Sequence, residues 1–190
     1  LTKEEVLTIF KDTGTLLDGH FRLTSGLHSP QYFQCALVLQ DPMQAQKLCW
    51  EIATQFMTDK IDVVIAPAVG GIVVAQEVAR LINARAIFAE RENGAMTLRR
   101  GFEIKPNEKA LVVEDVVTTG GSIKEVINLV QSANADLIGV GFLVDRSQGK
   151  VEFPVRKFSV LEMEVITYEP ENCPMCKNNI PLVKPGSRKE

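Results

Sequence analysis

Two adjacent carboxylates, Glu114 and Asp115, follow the apolar run Ala110-Leu111-Val112-Val113, and a loop of hydroxyls and glycines, Thr118-Thr119-Gly120-Gly121-Ser122, comes soon after. An apolar run of this kind suits a parallel strand buried on both faces, which delivers the succeeding residues to the sheet's carboxyl edge, where open α/β sheets bind ligands. Glycines let successive N–H groups turn inward, and a helix predicted over Ile123 to Ala133 adds the positive end of its dipole. That combination suits a phosphate. The acids suit a different partner, because they repel phosphate oxygens but accept hydrogen bonds from two vicinal hydroxyls one sugar length away. Together these residues read as a site for a phosphorylated ribose.

A second loop, Ala66-Pro67-Ala68-Val69-Gly70-Gly71, also follows an apolar strand and precedes a helix, so its small residues and bare amides offer a place for another anion.

The elements that must position these groups alternate along the chain. Thr2 to Lys11 reads as a helix with Thr2 as N-cap, Glu5 closing a capping box and Gly14 as its stop. Thr15 to Gln40 is strand-like, broken at Ser25-Gly26 and Ser29-Pro30, and predicts irregular antiparallel structure outside the main sheet. Asp41-Pro42 starts a helix that runs to about Thr58. Strand Val63 to Ala66, helix Gly71 to Leu81, strands Arg85 to Ala89 and Ala110 to Val113, helix Ile123 to Ala133 and strand Leu137 to Val144 then give the rhythm of a doubly wound parallel sheet. Its strand-end loops fall on one edge, so the two anion loops and Asp145-Arg146 converge.

Composition narrows the function classes. A chain of 190 residues suits one domain, able to remove roughly 70% of its unfolded surface from water. A hydrophobic fraction of 45% argues against disorder, and a formal net charge of -3 argues against a general nucleic-acid binder. No apolar run approaches the ~20 residues needed to span a bilayer, and the opening LTKEEVLTIF carries charge and helical periodicity where a signal peptide would carry an apolar core. The expectation is a cytoplasmic protein that binds neither nucleic acid nor membrane.

Of four cysteines, Cys35 and Cys49 read as core residues. Cys173-Pro174-Met175-Cys176 has metal-ligand or redox spacing, but zinc needs two more ligands and only His20 and His28 remain among the histidines. No metal ligand is therefore assigned, and the zinc arrangement this reading favours is two chains each giving one cysteine pair. A thioredoxin-like role is disfavoured because the pair lies in a Pro/Asn-rich tail and not at a strand-to-helix start.

The run of an apolar strand, Glu114-Asp115, two residues, Thr118, one residue, Gly120, one residue and Ser122 resembles the signature with which type I phosphoribosyltransferases bind 5-phosphoribosyl-1-pyrophosphate (PRPP). The segment Phe21-Arg22-Leu23-Thr24-Ser25-Gly26-Leu27-His28-Ser29-Pro30-Gln31-Tyr32-Phe33 and the stretch Asp145-Arg146-Ser147-Gln148-Gly149 resemble the orotate phosphoribosyltransferases, and the likeness covers roughly Phe21 to Gly149. It implies an α/β fold of the type I phosphoribosyltransferase kind: a central, mainly parallel sheet flanked by helices, with a small hood built from the N-terminal segment. A single domain is expected, with 1–40 as hood and base-binding segment, 41–149 as PRPP-binding core and 150–190 as C-terminal strand and tail.

The resemblance also implies roles. Glu114 and Asp115, with Arg91, are the catalytic candidates; Thr118, Thr119, Gly120, Gly121 and Ser122 anchor the 5′-phosphate; Ala68, Val69, Gly70 and Gly71 hold pyrophosphate; Ser25, Gly26, Tyr32, Phe33, Thr118 and Arg146 receive orotate. Mg²⁺ is expected to arrive bound mainly through PRPP, and a homodimer is implied, with the mobile loop of one subunit completing its neighbour's site. Three departures stand out. Thr24 replaces a lysine common before Ser-Gly, Val69-Gly70 replaces an aromatic-lysine pair, and the segment Phe88 to Phe102 is short, without His or Lys, leaving Arg91, Arg99 and Arg100 as its cations. This variant resembles a Thermus-type branch of the orotate family. The rival readings are a purine phosphoribosyltransferase acting on adenine, hypoxanthine or xanthine, and a non-catalytic PRPP-sensing regulator. The latter usually carries a DNA-binding region, for which the N-terminal helix is too short.

Overall fold

A computed structural model describes residues 1–185 apart from Thr24, Gln148 and Val165. The chain opens with α1 (Lys3–Asp12), whose start is fixed as its sequence predicts: the Thr2 hydroxyl accepts from Glu5 N at 3.2 Å, and Glu5 returns the contact to Thr2 N at 2.7 Å. Strands β1 (Leu16–Arg22) and β2 (His28–Phe33) then pair antiparallel in a sheet of their own. That is the antiparallel structure outside the main sheet predicted from the broken strand pattern, and the hood the resemblance implies. A short helix not expected from the sequence, α2 (Ala36–Leu39), leads into α3 (Pro42–Phe56), where Asp41 caps Met43 N at 2.9 Å and Pro42 sits in the first turn.

The main sheet is built from β3 (Val63–Pro67), β4 (Arg85–Glu92), β5 (Ala95–Leu98), β6 (Lys109–Val117), β7 (Asp136–Asp145) and β8 (Lys157–Glu162), in the order β5-β4-β3-β6-β7-β8. All neighbours run parallel except β4 and β5. Helices α4 (Gly71–Ile82) and α3 cover one face, and α5 (Gly121–Ser132) covers the other. Every residue of β3 is buried, as a strand covered on both faces requires. Leu48, Ile52 and Phe56 of α3 are fully buried, each stabilising by about 1.5–3 kcal/mol relative to exposure. Their close approach to β7 depends on glycine, since a Cβ on Gly141 would lie 2.5 Å from Ile52 Cγ2.

The structure changes two expected boundaries in ways that matter for the site. Strand β6 does not stop at Val113 but continues to Val117, so Glu114 and Asp115 sit within the strand and not in the loop after it. The segment from Phe88 to Phe102, read as a loop, folds back on itself: β4 extends to Glu92, and Asn93 (φ 49°) and Gly94 (φ 86°) turn the chain into antiparallel β5. The short helix α6 (Pro174–Lys177) closes the tail, whose Val183 bridges Phe21 and whose Tyr168 bridges His28.

Candidate active site

Helices α1 and α3 have their first turns closed by side chains, whereas α4 and α5 do not. Their N-cap residues are Gly70 and Gly120, which carry no capping group. The amides of their first turns therefore keep unfilled hydrogen-bonding capacity at the positive end of each dipole. In α5 the first backbone bond comes from Lys124 N to Gly120 O at 3.0 Å, and the preceding amides of Gly121, Ser122 and Ile123 have no acceptor among the described residues. Gly120 is required there twice over. Its φ is +73°, and a Cβ would lie 2.6 Å from Val151 Cγ1.

The acid pair lies beside the other uncapped helix. A Cβ on Gly71 would stand 3.0 Å from Glu114 Oε1, and one on Gly70 would collide with the Asp115 carboxylate. The glycines of the second anion loop are thus what let that loop approach the carboxylates. The Ala68–Val69 peptide within it is cis. We expect Gly70→Ala to push the Asp115 carboxylate aside and lower kcat/KM on the order of 10- to 100-fold with the fold retained, measured by steady-state kinetics beside thermal melting. Unchanged kinetics would separate the loop from the acids.

Among the described residues, neither Glu114 nor Asp115 is ion-paired to a lysine or arginine. Glu114 Oε1 instead accepts from the neighbouring Asp115 N at 3.2 Å. Burial first, and the Asp115 charge second, push the Glu114 carboxyl well above the usual carboxylate range. Burial, and after it the same acids, keep Cys35 a neutral thiol.

Arg146 comes to this edge from the turn after β7, its amide donating to Val117 O at 2.8 Å. Its guanidinium is largely removed from water, which lowers its pKa, while the neighbouring Tyr32 and Cys35 favour its charge. Its Nε is buried with no hydrogen-bond partner among the described residues. A desolvated cation with an idle donor is costly unless a ligand engages it. Asp145, fully buried, shapes the turn that presents it: one carboxylate oxygen accepts from Ser147 N at 2.7 Å and from Ser147 Oγ at 2.6 Å. Gln148, in the same motif, lies outside the described residues.

The remaining sequence candidates divide. Tyr32 faces Arg146 and Asp115, with burial as the main cause of its raised pKa. Phe33 does not join it, because consecutive strand residues point to opposite faces, and Phe33 is buried edge-on against Phe10 at 5.8 Å in the core below α1. Ser25 and Gly26 occupy the hairpin turn, where Gly26 N bonds Leu23 O at 2.9 Å, beyond the end of β2 opposite to Tyr32. Thr24 lies outside the described residues. Thr118, Thr119 and Gly121 are exposed, Ser122 is half-buried and Gly120 is buried.

Arg91 points to the α5 side of the β4–β5 hairpin, where it bonds Gly94 O at 2.8 Å and Glu125 at 2.7 Å. Arg100 pairs with Glu90 at 2.7 Å and Arg99 with Glu92 at 3.5 Å. All three pairs are exposed, so the glutamates hold these arginines only weakly.

One grouping differs from the expectation drawn from the sequence. His20 and His28 lie beside Cys173 and Cys176 of the same chain, where the sequence pattern assigned no metal ligand and favoured two chains for any zinc. The tail brings them together by running back along β1, with Val183 N bonded to His20 O at 2.9 Å.

Residues 39–169 match the family model of the phosphoribosyl transferase domain. The chain is 58% identical over 189 residues to a protein of Pelotomaculum thermopropionicum named orotate phosphoribosyltransferase, covering all of both chains. It is 60% identical over 189 residues to one of the same name from Thermoanaerobacter sp., again covering both fully. The crystal structure of orotate phosphoribosyltransferase from Aeropyrum pernix superimposes with a TM-score of 0.72 at 28% identity, covering 83% of this chain and 93% of the other.

Proposed function

The chain belongs to the orotate phosphoribosyltransferases of the phosphoribosyl transferase domain family, and from that premise we propose that it transfers the phosphoribosyl group of PRPP to N1 of orotate, yielding orotidine 5′-phosphate and pyrophosphate in pyrimidine nucleotide synthesis. The observation that carries this reading is an acid pair with no ion pair among the described residues, flanked by two uncapped helix starts and faced by an arginine whose Nε has no partner among them.

In the proposed reaction the bond from C1 of the ribose to pyrophosphate loosens as N1 approaches. Positive charge develops on the sugar ring and negative charge on the leaving group, so the protein's work is to stabilise both and keep water out. Glu114 and Asp115 accept hydrogen bonds from the ribose hydroxyls and lie beside the cationic ring. The amides and hydroxyls of Thr118 to Ser122 hold the 5′-phosphate, and Ala68 to Gly71 receive pyrophosphate, with Arg91 released from Glu125 to join them. Orotate already carries a negative charge, so positioning matters more than a general base. Arg146 forks to its carboxylate or carbonyl edge while Tyr32 lies against its ring.

Magnesium fits this donor set, since hard carboxylate oxygens without a protein cation stand where PRPP would bring its own oxygens. Bound through PRPP, the ion would supply charge neutralisation of the leaving group. No helix among the described residues is long and apolar enough to cross a membrane, in keeping with a cytoplasmic enzyme. A homodimer, in which the β4–β5 hairpin of one subunit reaches its neighbour's site, completes the proposal.

The test is product formation from PRPP and Mg²⁺ with orotate, adenine, hypoxanthine and xanthine in turn. Orotidine 5′-phosphate should form with orotate alone. Turnover of a purine without orotate would select the purine reading, and PRPP binding without turnover of any base would select a regulator.

A further inference from the structure

The tail beyond β8 has little core of its own. Ile166, Ile180, Leu182 and Val183 are all substantially exposed, and the segment contributes mainly Cys173 and Met175 to the interior. It is nevertheless laid along the hood, with His28 N bonded to Tyr168 O at 2.9 Å and Arg22 N to Val183 O at 2.8 Å. Where these two segments meet, four ligand-type atoms converge: one nitrogen each from His20 and His28, and the sulfurs of Cys173 and Cys176, all within 4.8 Å of one another.

We propose that His20, His28, Cys173 and Cys176 bind one structural zinc ion that fastens the C-terminal tail to the β1–β2 hood. Four of the six edges approach those of a tetrahedron. With Zn–N near 2.05 Å and Zn–S near 2.3 Å, the ligand edges should be about 3.3 Å for N–N and 3.6 Å for N–S. Here His20 Nε2 to His28 Nδ1 is 2.9 Å, His28 Nδ1 to Cys176 Sγ is 3.3 Å, and His20 Nε2 stands 3.5 Å from Cys173 Sγ and 3.7 Å from Cys176 Sγ.

The surroundings favour an ion over four mutually bonded side chains. The Nδ1 of His20 lies 2.7 Å from the carbonyl oxygen of Ile180, an acceptor only, so the proton resides on Nδ1 and the Nε2 lone pair points into the cluster. A second bond of this kind is how metal-ligating histidines are held in orientation. The two cysteines come from a single turn, with Cys173 preceding α6 and Cys176 within it, which turns both sulfurs to one side. Two thiolates and two neutral imidazoles around Zn²⁺ sum to zero charge, as a site made of buried His20, His28 and Cys173 requires. Binding releases the two thiol protons, and four protein ligands leave no open position for chemistry. The ion is therefore structural, and because β2 carries Tyr32, it steadies the hood over the base site.

The test uses the full chain, expressed without a polyhistidine tag. Elemental analysis should find about one zinc per chain. Cobalt(II) exchanged into the site should give the intense d–d absorption of a tetrahedral ion with thiolate-to-cobalt charge transfer, and a thiol-modifying reagent should release the zinc. Cys176→Ser, at the exposed rim, should lose the ion and open the tail after β8 to limited proteolysis, while Cys49→Ala keeps the ion. These readouts do not depend on the enzymatic reading. Zinc below about 0.1 per chain after reconstitution, an octahedral cobalt spectrum, retention of the ion by Cys176→Ser, or a Cys173–Cys176 disulfide in the purified protein would each overturn the proposal.

Discussion

Asp115→Asn should lower turnover about 100- to 1,000-fold while making the ligand-free protein more stable, not less. The loss arises because the asparagine keeps the shape but removes the charge that answers the cationic ribose ring and strengthens the hydrogen bonds from its hydroxyls. The gain appears as pH rises, because ionising the buried Glu114 beside the Asp115 charge is unfavourable in the free protein, where no lysine or arginine pairs with either among the described residues. A gain of 1 kcal/mol raises the melting temperature of a domain this size by roughly 2–4 °C.

The same pair fixes a pH dependence. The folded-state pKa of Glu114 lies above its unfolded value, so the group's stabilising contribution is fully present below the ordinary carboxylate range and is lost as pH rises through the raised value. Melting temperatures of the ligand-free protein should therefore fall as pH is raised across this window, and Asp115→Asn should flatten the trend by removing the second cause of the shift. Glu90 has the opposite sign, since its hydrogen bond to Arg100 lowers its pKa, so its contribution is lost only in more acid solution. Melting curves from about pH 5 to 8, beside a pyrophosphate-release assay, check both parts. Full activity in the variant, or a fall in stability matching the fall in activity, would contradict the assignment of Asp115.

Arg146→Ala should have the second large effect, concentrated on the base. Its guanidinium is desolvated beside Tyr32 with Nε unpartnered among the described residues, and a charged hydrogen bond is worth about 1.5–3 kcal/mol. Two such bonds to orotate predict a loss of about 100- to 10,000-fold in kcat/KM for orotate, with the KM for PRPP little changed. Arg146→Lys should recover at most about tenfold, because an ammonium lacks the planar fork. Equal losses against both substrates would place Arg146 elsewhere in the reaction.

Much of this geometry comes from local chemistry that the sequence displays. Thr2 with Glu5, and Asp41 with Pro42, fix two helix starts because capping involves neighbours within one turn. The contrast with uncapped Gly70 and Gly120 is equally local, which is why the two anion loops are legible. Two further features carry a sequence signal. Asn93-Gly94 is the strongest short hairpin signature, and it turns Phe88–Phe102 from a loop into the β4–β5 hairpin. The adjacency of Tyr32 and Phe33 in a strand means that only one can face the site.

Other features depend on contacts between distant segments. The extension of β6 past its apolar run is supported by pairing with β7, which no local pattern reveals. Arg91 acquires Glu125 as a partner only once the hairpin packs beside α5, and Arg99 and Arg100 meet Glu92 and Glu90 of β4 only once the hairpin has formed. The meeting of His20 and His28 with two cysteines some 150 residues away requires the tail's path along β1.

The most direct test of the whole account is a crystal structure of the protein with Mg²⁺-PRPP. Both ribose hydroxyls should lie within hydrogen-bonding distance of the Glu114 and Asp115 carboxylates, with the 5′-phosphate seated on the amides between Thr118 and Ser122. PRPP bound elsewhere, or bound here with its hydroxyls turned away from both acids, would contradict it.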